Sequence, residues 1–199
     1  MTIGDIGMRL CKAALVLWLV AISSPALAQS ITPGQEGALR DILEPVPGRK
    51  VCFARTYDAA HLQKHPKQKV TAVVFQLKYY KHDPDKERPE GQRNYYFDMS
   101  AKVKGQKKTL HTAGECGPQD GGTIRCFVEC DGGGISIKRD GTPDGLLVGF
   151  DRLGRLRMTV GCGADDEENT VDLTPGLDDR TFRLDKAATR ICGPLNRKN

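Results

Sequence analysis

Asn94-Tyr95-Tyr96-Phe97-Asp98-Met99-Ser100-Ala101-Lys102-Val103 decides the fold class. In an extended chain Tyr95, Phe97, Met99, Ala101 and Val103 fall on one face, and Asn94, Tyr96, Asp98, Ser100 and Lys102 on the other. This period of two predicts a half-buried antiparallel strand with its apolar face inward. Residues 71–80 repeat it, with Val73, Phe75, Leu77 and Tyr79 set against Ala72, Val74, Gln76, Lys78 and Tyr80. The two strands are expected to pair. Residues 81–93 between them hold two prolines, one glycine and eight charged side chains, a composition that cannot bury itself and predicts an exposed, mobile loop.

Further short strands are expected at residues 51–57, 124–130, 135–139, 146–151, 155–162 and 181–185. Gly132-Gly133-Gly134, Asp140-Gly141 and Arg152-Leu153-Gly154 supply turns between them, and residues 151–154 read as a hairpin with Gly154 in the left-handed conformation. At the N-terminal side, Thr32-Pro33-Gly34-Gln35 has the form of a capping box and predicts one short helix running to about Leu43, stopped by Pro45, Pro47 and Gly48. The expectation is a mainly β fold of about eight to ten short strands. A meander-like antiparallel barrel is preferred and a sandwich is the alternative, since both hide the strand edges that an open sheet exposes.

Residues 1–28 read as a secretory signal: Arg9 and Lys12 precede an apolar run at residues 13–22, and Ser23-Ser24-Pro25-Ala26-Leu27-Ala28 ends in the small-x-small pattern of a cleavage site. At about 1.5 Å per residue the apolar run is too short to cross a bilayer core of about 30 Å, so no membrane span is expected. Cleavage after Ala28 leaves residues 29–199, read as a single β-rich domain that is soluble in the periplasm or outside the cell. Gln29 and Ser30, not cysteine, stand at the cleavage point, so no lipid anchor is expected.

An exported chain meets an oxidising compartment, and six cysteines remain after cleavage: Cys52, Cys116, Cys126, Cys130, Cys162 and Cys192. Cys116 and Cys126 flank a segment with Pro118 and Gly121-Gly122 that can fold back on itself, Cys130 and Cys162 end two expected strands, and Cys52 and Cys192 remain to tie the first strand to the C-terminal segment. Disulfide staples are therefore expected. The competing use, zinc held by Cys126 and Cys130 with Cys116 or Cys162, lacks the paired-knuckle spacing of zinc ribbons. No Cys-x-x-Cys marks a redox enzyme.

The mature chain would carry 28 basic and 24 acidic side chains, distributed as 16 against 9 in residues 29–110 and 12 against 15 in residues 111–199. The basic half suits an acidic protein or polysaccharide surface, although such charges also serve solubility. No nucleic-acid-binding motif is present, and nucleic acid is not an expected partner. His61 and His65, four residues apart, are weak metal candidates that need a third ligand such as His82 or His111. Asp165-Asp166-Glu167-Glu168 and Asp140-Gly141-Thr142-Pro143-Asp144-Gly145 lack the ligand spacing of a calcium loop. Gly-x-Ser-x-Gly, His-Glu-x-x-His and phosphate-cradling glycine motifs are absent, so no cofactor, metal or catalytic residue is assigned.

Signal, short helix, alternating strands and staples together are similar to exported small barrels such as the lipocalins, in plan and not in signature residues. The expected function is a non-enzymatic binding module that holds a small ligand or protein partner in the barrel mouth or on one sheet face. Lys81, His82, Lys86, Arg88 and Arg93 make residues 81–93 the candidate binding loop. One alternative is a protein-interaction or inhibitory domain that brings this basic loop to an acidic surface. The other is a hydrolase-like enzyme without a local motif, with Ser100 or Ser136 meeting His111 in space.

Overall fold

The computed structural model describes residues 30–129, 131–158 and 170–193. Ten strands occur among them: β1 (Lys50–Thr56), β2 (Val70–Lys81), β3 (Arg93–Val103), β4 (Leu110–Pro118), β5 (Ile124–Phe127), β6 (Gly134–Arg139), β7 (Gly145–Phe150), β8 (Leu156–Met158), β9 (Val171–Leu173) and β10 (Thr181–Ala187). Eight of them close a barrel in the order β1-β10-β7-β6-β5-β4-β3-β2, and every pair is antiparallel. β8 and β9 form a separate two-stranded ribbon on the connection from β7 to β10. The fold is thus the meander barrel, not the sandwich.

The two decisive stretches pair over their whole length, with Phe75 opposite Met99 and Leu77 opposite Phe97. Val73, Phe75, Leu77, Tyr79, Tyr95, Phe97, Met99 and Ala101 point into the barrel and are at most 4% exposed. Phe53, Ile124, Ile135, Ile137, Leu146, Val148 and Leu184 meet them from the other walls. Each large apolar side chain removed from water contributes about 1.5–3 kcal/mol. An eight-stranded barrel has an interior just wide enough for such side chains to fill, which leaves the core packed with its own residues.

One barrel end is plugged by α1 (Leu39–Ile42), whose Leu39 and Ile42 are buried. The Tyr95 hydroxyl donates to the Leu43 carbonyl at 2.9 Å, and Arg139 donates to the Asp41 carbonyl at 2.8 Å. This helix is a single turn, shorter than the capping-box pattern predicts, and Ala38 rather than Thr32 stands at its N-cap. Gly34 and Gly37 adopt φ of 85° and 54°, outside the helical region, so helix cannot start at Thr32. The other end carries the β8–β9 ribbon, which buries Leu156, Met158 and Leu173, and α2 (Ala59–Lys64), capped by the Asp58 carboxylate through the His61 N–H at 2.7 Å.

Asp179, only 1% exposed, fastens that end by accepting the backbone N–H of Lys69 at 2.6 Å and of Val70 at 3.2 Å. At residues 151–154 the turn forms as expected, with Gly154 at φ 62° and its N–H bonded to the Asp151 carbonyl at 3.0 Å. It is not a hairpin. It passes the chain from β7 in the barrel to β8 in the ribbon, so the flanking strands belong to different sheets.

Two disulfides staple this frame, as the cysteine positions led one to expect. Cys116 and Cys126 are direct partners in the β4–β5 register, 3.9 Å apart at Cα, inside the barrel. Cys52 faces outward from β1 and joins Cys192, pinning the C-terminal segment on the barrel wall, where the Gln76 amide donates to the Cys192 carbonyl at 2.8 Å. Cys130, Cys162 and residues 165–168 lie outside the described residues.

Candidate functional site

With the interior filled, chemistry has to be sought on the wall. The outward faces of β4 and β5 carry Glu115, Gly117, Arg125 and Phe127, and they floor a cleft of about 830 Å³. Ser30, Ile31, Thr32 and Gln35 form one side of it, and Val128, Glu129, Asp131 and Gly133 with Leu153 form the other. The N-terminal segment is laid down there by two backbone contacts, the Ile31 N–H to the Arg93 carbonyl at 2.9 Å and the Arg93 N–H to the Ser30 hydroxyl oxygen at 3.0 Å. Gly117 has nothing within 4 Å of where a Cβ would stand, so the floor is open at that point.

Asn94 is the second residue of β3 and falls on the outward face, as its alternation predicts, yet it is only 2% exposed. Its Nδ2 donates to Glu115 Oε2 at 3.1 Å across the β3 to β4 pairing, whereas its Oδ1 is buried and has no hydrogen-bond partner. A buried acceptor left without a donor costs about 1–3 kcal/mol, and Asn94 is among the residues that line a cleft large enough for a small molecule. Glu115 is itself 8% exposed. Burial pushes its carboxyl above the ordinary range and the neighbouring Glu129 adds to this, while hydrogen bonds from Asn94 and Tyr96 pull the other way. Burial, together with Glu115, pushes the Tyr96 hydroxyl up to about 12, and that hydroxyl lies 2.7 Å from His82 Nε2. A connected chain His82, Tyr96, Glu115, Asn94 therefore runs along the wall into the cleft.

Charges within the cleft are unevenly matched. Arg125 is held by Asp151 in a two-point contact, Nε at 3.0 Å and Nη2 at 2.9 Å, so its charge is already satisfied. Glu129 and Asp131 are exposed on the rim. Phe127 and Val128, both half-buried, and Leu153, 59% exposed, supply an apolar side.

The residues singled out in the sequence fall elsewhere. Residues 83–90 are exposed while Gly91 and Gln92 are buried, and the loop is shaped by its own contacts: Asp85 accepts from the backbone of Glu87 at 2.9 Å and Arg88 at 2.7 Å and from the Arg88 guanidinium, which also reaches Gln92. The loop is also not basic. Lys81, Lys86, Arg88 and Arg93 are balanced by Asp83, Asp85, Glu87 and Glu90. Of the candidate loop residues, His82 connects to the cleft through Tyr96, and Arg93 through its backbone bonds to Ser30 and Ile31.

His61 and His65 do come together on α2, with rings stacked 4.4 Å apart, and His61 Nε2 sits 3.0 Å from Gln68 Oε1. No group of three or more His, Cys, Asp or Glu that could hold a metal exists among the described residues. Zinc at Cys116 and Cys126 is overturned, because both sulfurs are spent in a disulfide. Ser100 and His111 are cross-strand partners on β3 and β4, and His111 Nδ1 is buried without a hydrogen-bond partner. Ser136 stands on β6 opposite Gly149. Asp140 is occupied by Thr142 and Arg183. No helix among the described residues is long and apolar enough to cross a membrane.

Asn94 and Glu115 had no sequence signal of their own, since their burial comes from the chain folding over them. No protein family, curated protein or solved structure with which the chain was compared matches it.

Proposed function

We propose that the protein is an exported binding module that holds a small ligand on the outer wall of a closed barrel, in the cleft over β4 and β5. The observation that carries this reading is Asn94, a 98% buried residue of the cleft lining whose Oδ1 has no hydrogen-bond donor within the protein. The signal-like residues 1–28 and the two disulfides support export. A filled interior favours a wall site over the barrel mouth, and a rigid stapled frame lowers the ordering cost of binding.

Gly117→Trp tests this directly, because the indole fills the cleft from a position where a Cβ touches nothing. Native mass spectrometry of the mature protein, after exposure to a mixture of small metabolites, should show a captured mass that the variant loses. Capture that is equal in both proteins, or absent from both, would overturn the reading. Amide shift mapping at residues 115–119 and 125–133 locates the ligand; shifts confined to residues 81–93 would favour the protein-interaction alternative.

A further inference from the structure

The cleft also specifies the chemistry of its occupant, an inference that rests on the wall-site reading above. Its charged lining is mostly acidic, and Ser30, Thr32, Gln35 and Gln119 add hydroxyl and amide groups that can donate or accept. Asn94 Oδ1 is buried and unpartnered, and Asn94 Nδ2 is already given to Glu115. Glu115, Glu129 and Asp131 bring three carboxylates to the same cleft, and Glu129 is close enough to raise the Glu115 carboxyl electrostatically. The one cation in the lining, Arg125, is neutralised by Asp151 through two contacts. A net-basic chain, +5 over its full sequence, therefore presents a locally acidic cleft, and an anion is repelled there. A group bearing several N–H donors and a positive charge satisfies Asn94 Oδ1 and offsets the carboxylates together. Facing these acceptors, the Phe127 ring, Val128 and Leu153 fit an alkyl stem, and the ring face attracts a cation.

We propose that the cleft is a site for a small alkylammonium or alkylguanidinium compound, with its cationic head on Asn94, Glu115 and the Glu129/Asp131 rim and its methylene stem along Phe127. Isothermal titration of the mature protein at low ionic strength tests this with four probes: putrescine for the ammonium, agmatine for the guanidinium, 1,4-butanediol as the neutral isostere and succinate as the anion. One equivalent of putrescine or agmatine should bind, and the better of the two identifies the head group. The diol and succinate should bind at least tenfold more weakly.

Glu129→Gln with Asp131→Asn, both on the exposed rim and neutral to folding, should weaken the cation about tenfold, each exposed charge accounting for up to about fivefold. Glu115→Gln should weaken it by about tenfold or more, since its carboxylate is buried. If the diol binds as well as the diamine, or the rim variants bind the diamine unchanged, the cation assignment falls while the wall site stands. If no probe binds and metabolite capture also fails, both fall.

Discussion

Removing the two disulfides in turn should cost very different amounts, although the bridges look alike in burial. Cys52–Cys192 closes a separation of 140 residues and Cys116–Cys126 one of 10. In the chain-entropy account the longer closure stabilises by about 5 kcal/mol and the shorter by about 2.7 kcal/mol. The four sulfurs sit in similarly dry surroundings, 0% and 6% exposed in the first pair and 3% and 0% in the second, so the packing lost on substitution by alanine is comparable and largely cancels in the difference. What remains is about 2.3 kcal/mol, which for a chain of this size is a difference in Tm of about 5–9 °C.

Urea denaturation of Cys52→Ala/Cys192→Ala and of Cys116→Ala/Cys126→Ala reads both quantities. The slope m should also rise more for the first variant, because freeing 140 residues expands the unfolded chain further. Equal midpoint shifts, or a larger loss from the short bridge, would refute the view that these staples act on the unfolded state. The alternative would be that Cys116–Cys126 acts natively, by fixing the β4–β5 register inside the barrel.

Gly114→Ala should destabilise by about 1–3 kcal/mol or more, since its Cβ would stand 2.0 Å from the Phe127 carbonyl oxygen and 2.9 Å from Phe97 Cε1, whereas Gly117→Ala two residues on should change the urea midpoint by less than about 0.5 kcal/mol; a harmless Gly114→Ala would contradict the β4–β5 packing. Asp179→Ala removes a charged acceptor from two backbone N–H groups at 2.6 and 3.2 Å and should cost about 3 kcal/mol, with Asp179→Asn costing less; a thermal melt unchanged by both would show that this clamp is not formed. Glu115 has a folded-state carboxyl raised above its ordinary 4.5, so the folded form holds the proton more tightly and stability falls as pH rises from 4.5 through the folded value. Glu115→Gln should therefore be the more stable protein at neutral pH and converge with the parent below pH 4.5, and a parent that gains stability over that rise relative to the variant would reverse the sign.

Most of the barrel was legible because β2 and β3 alternate without a break and their inward residues are large and apolar. β4 was not. Its inward positions Leu110, Thr112, Gly114 and Cys116 include a hydroxyl and a glycine, so the sequence shows no alternation there, yet the glycine is what lets the Phe97 ring and the Phe127 carbonyl approach. β9 is three residues long and too short to carry a period. The same distinction separates the cysteines from the cleft. A disulfide is visible as residue type and compartment, whereas Asn94 is buried on the outward face of its strand, next to an Arg93 bonded by residues 30 and 31 from some sixty positions away in the chain, and nothing local encodes that.

The place of the cleft follows from the same economy of side chains that shapes β4. The interior of this barrel is packed with its own side chains, and its outer wall offers a recess where strands are short or side chains small. β5 spans four residues where β2 spans twelve, and it runs beside the part of β4 that holds Gly117. The wall is therefore lowest over β4 and β5. The N-terminal segment on one side and Val128, Glu129, Asp131 and Gly133 on the other raise walls around that low point, beside Glu115 and Asn94. Those two side chains answer one another there, while Asn94 Oδ1 is left without a donor. The net basicity of the chain is therefore no guide to the character of this recess, whose described lining holds three carboxylates against a guanidinium already paired with Asp151.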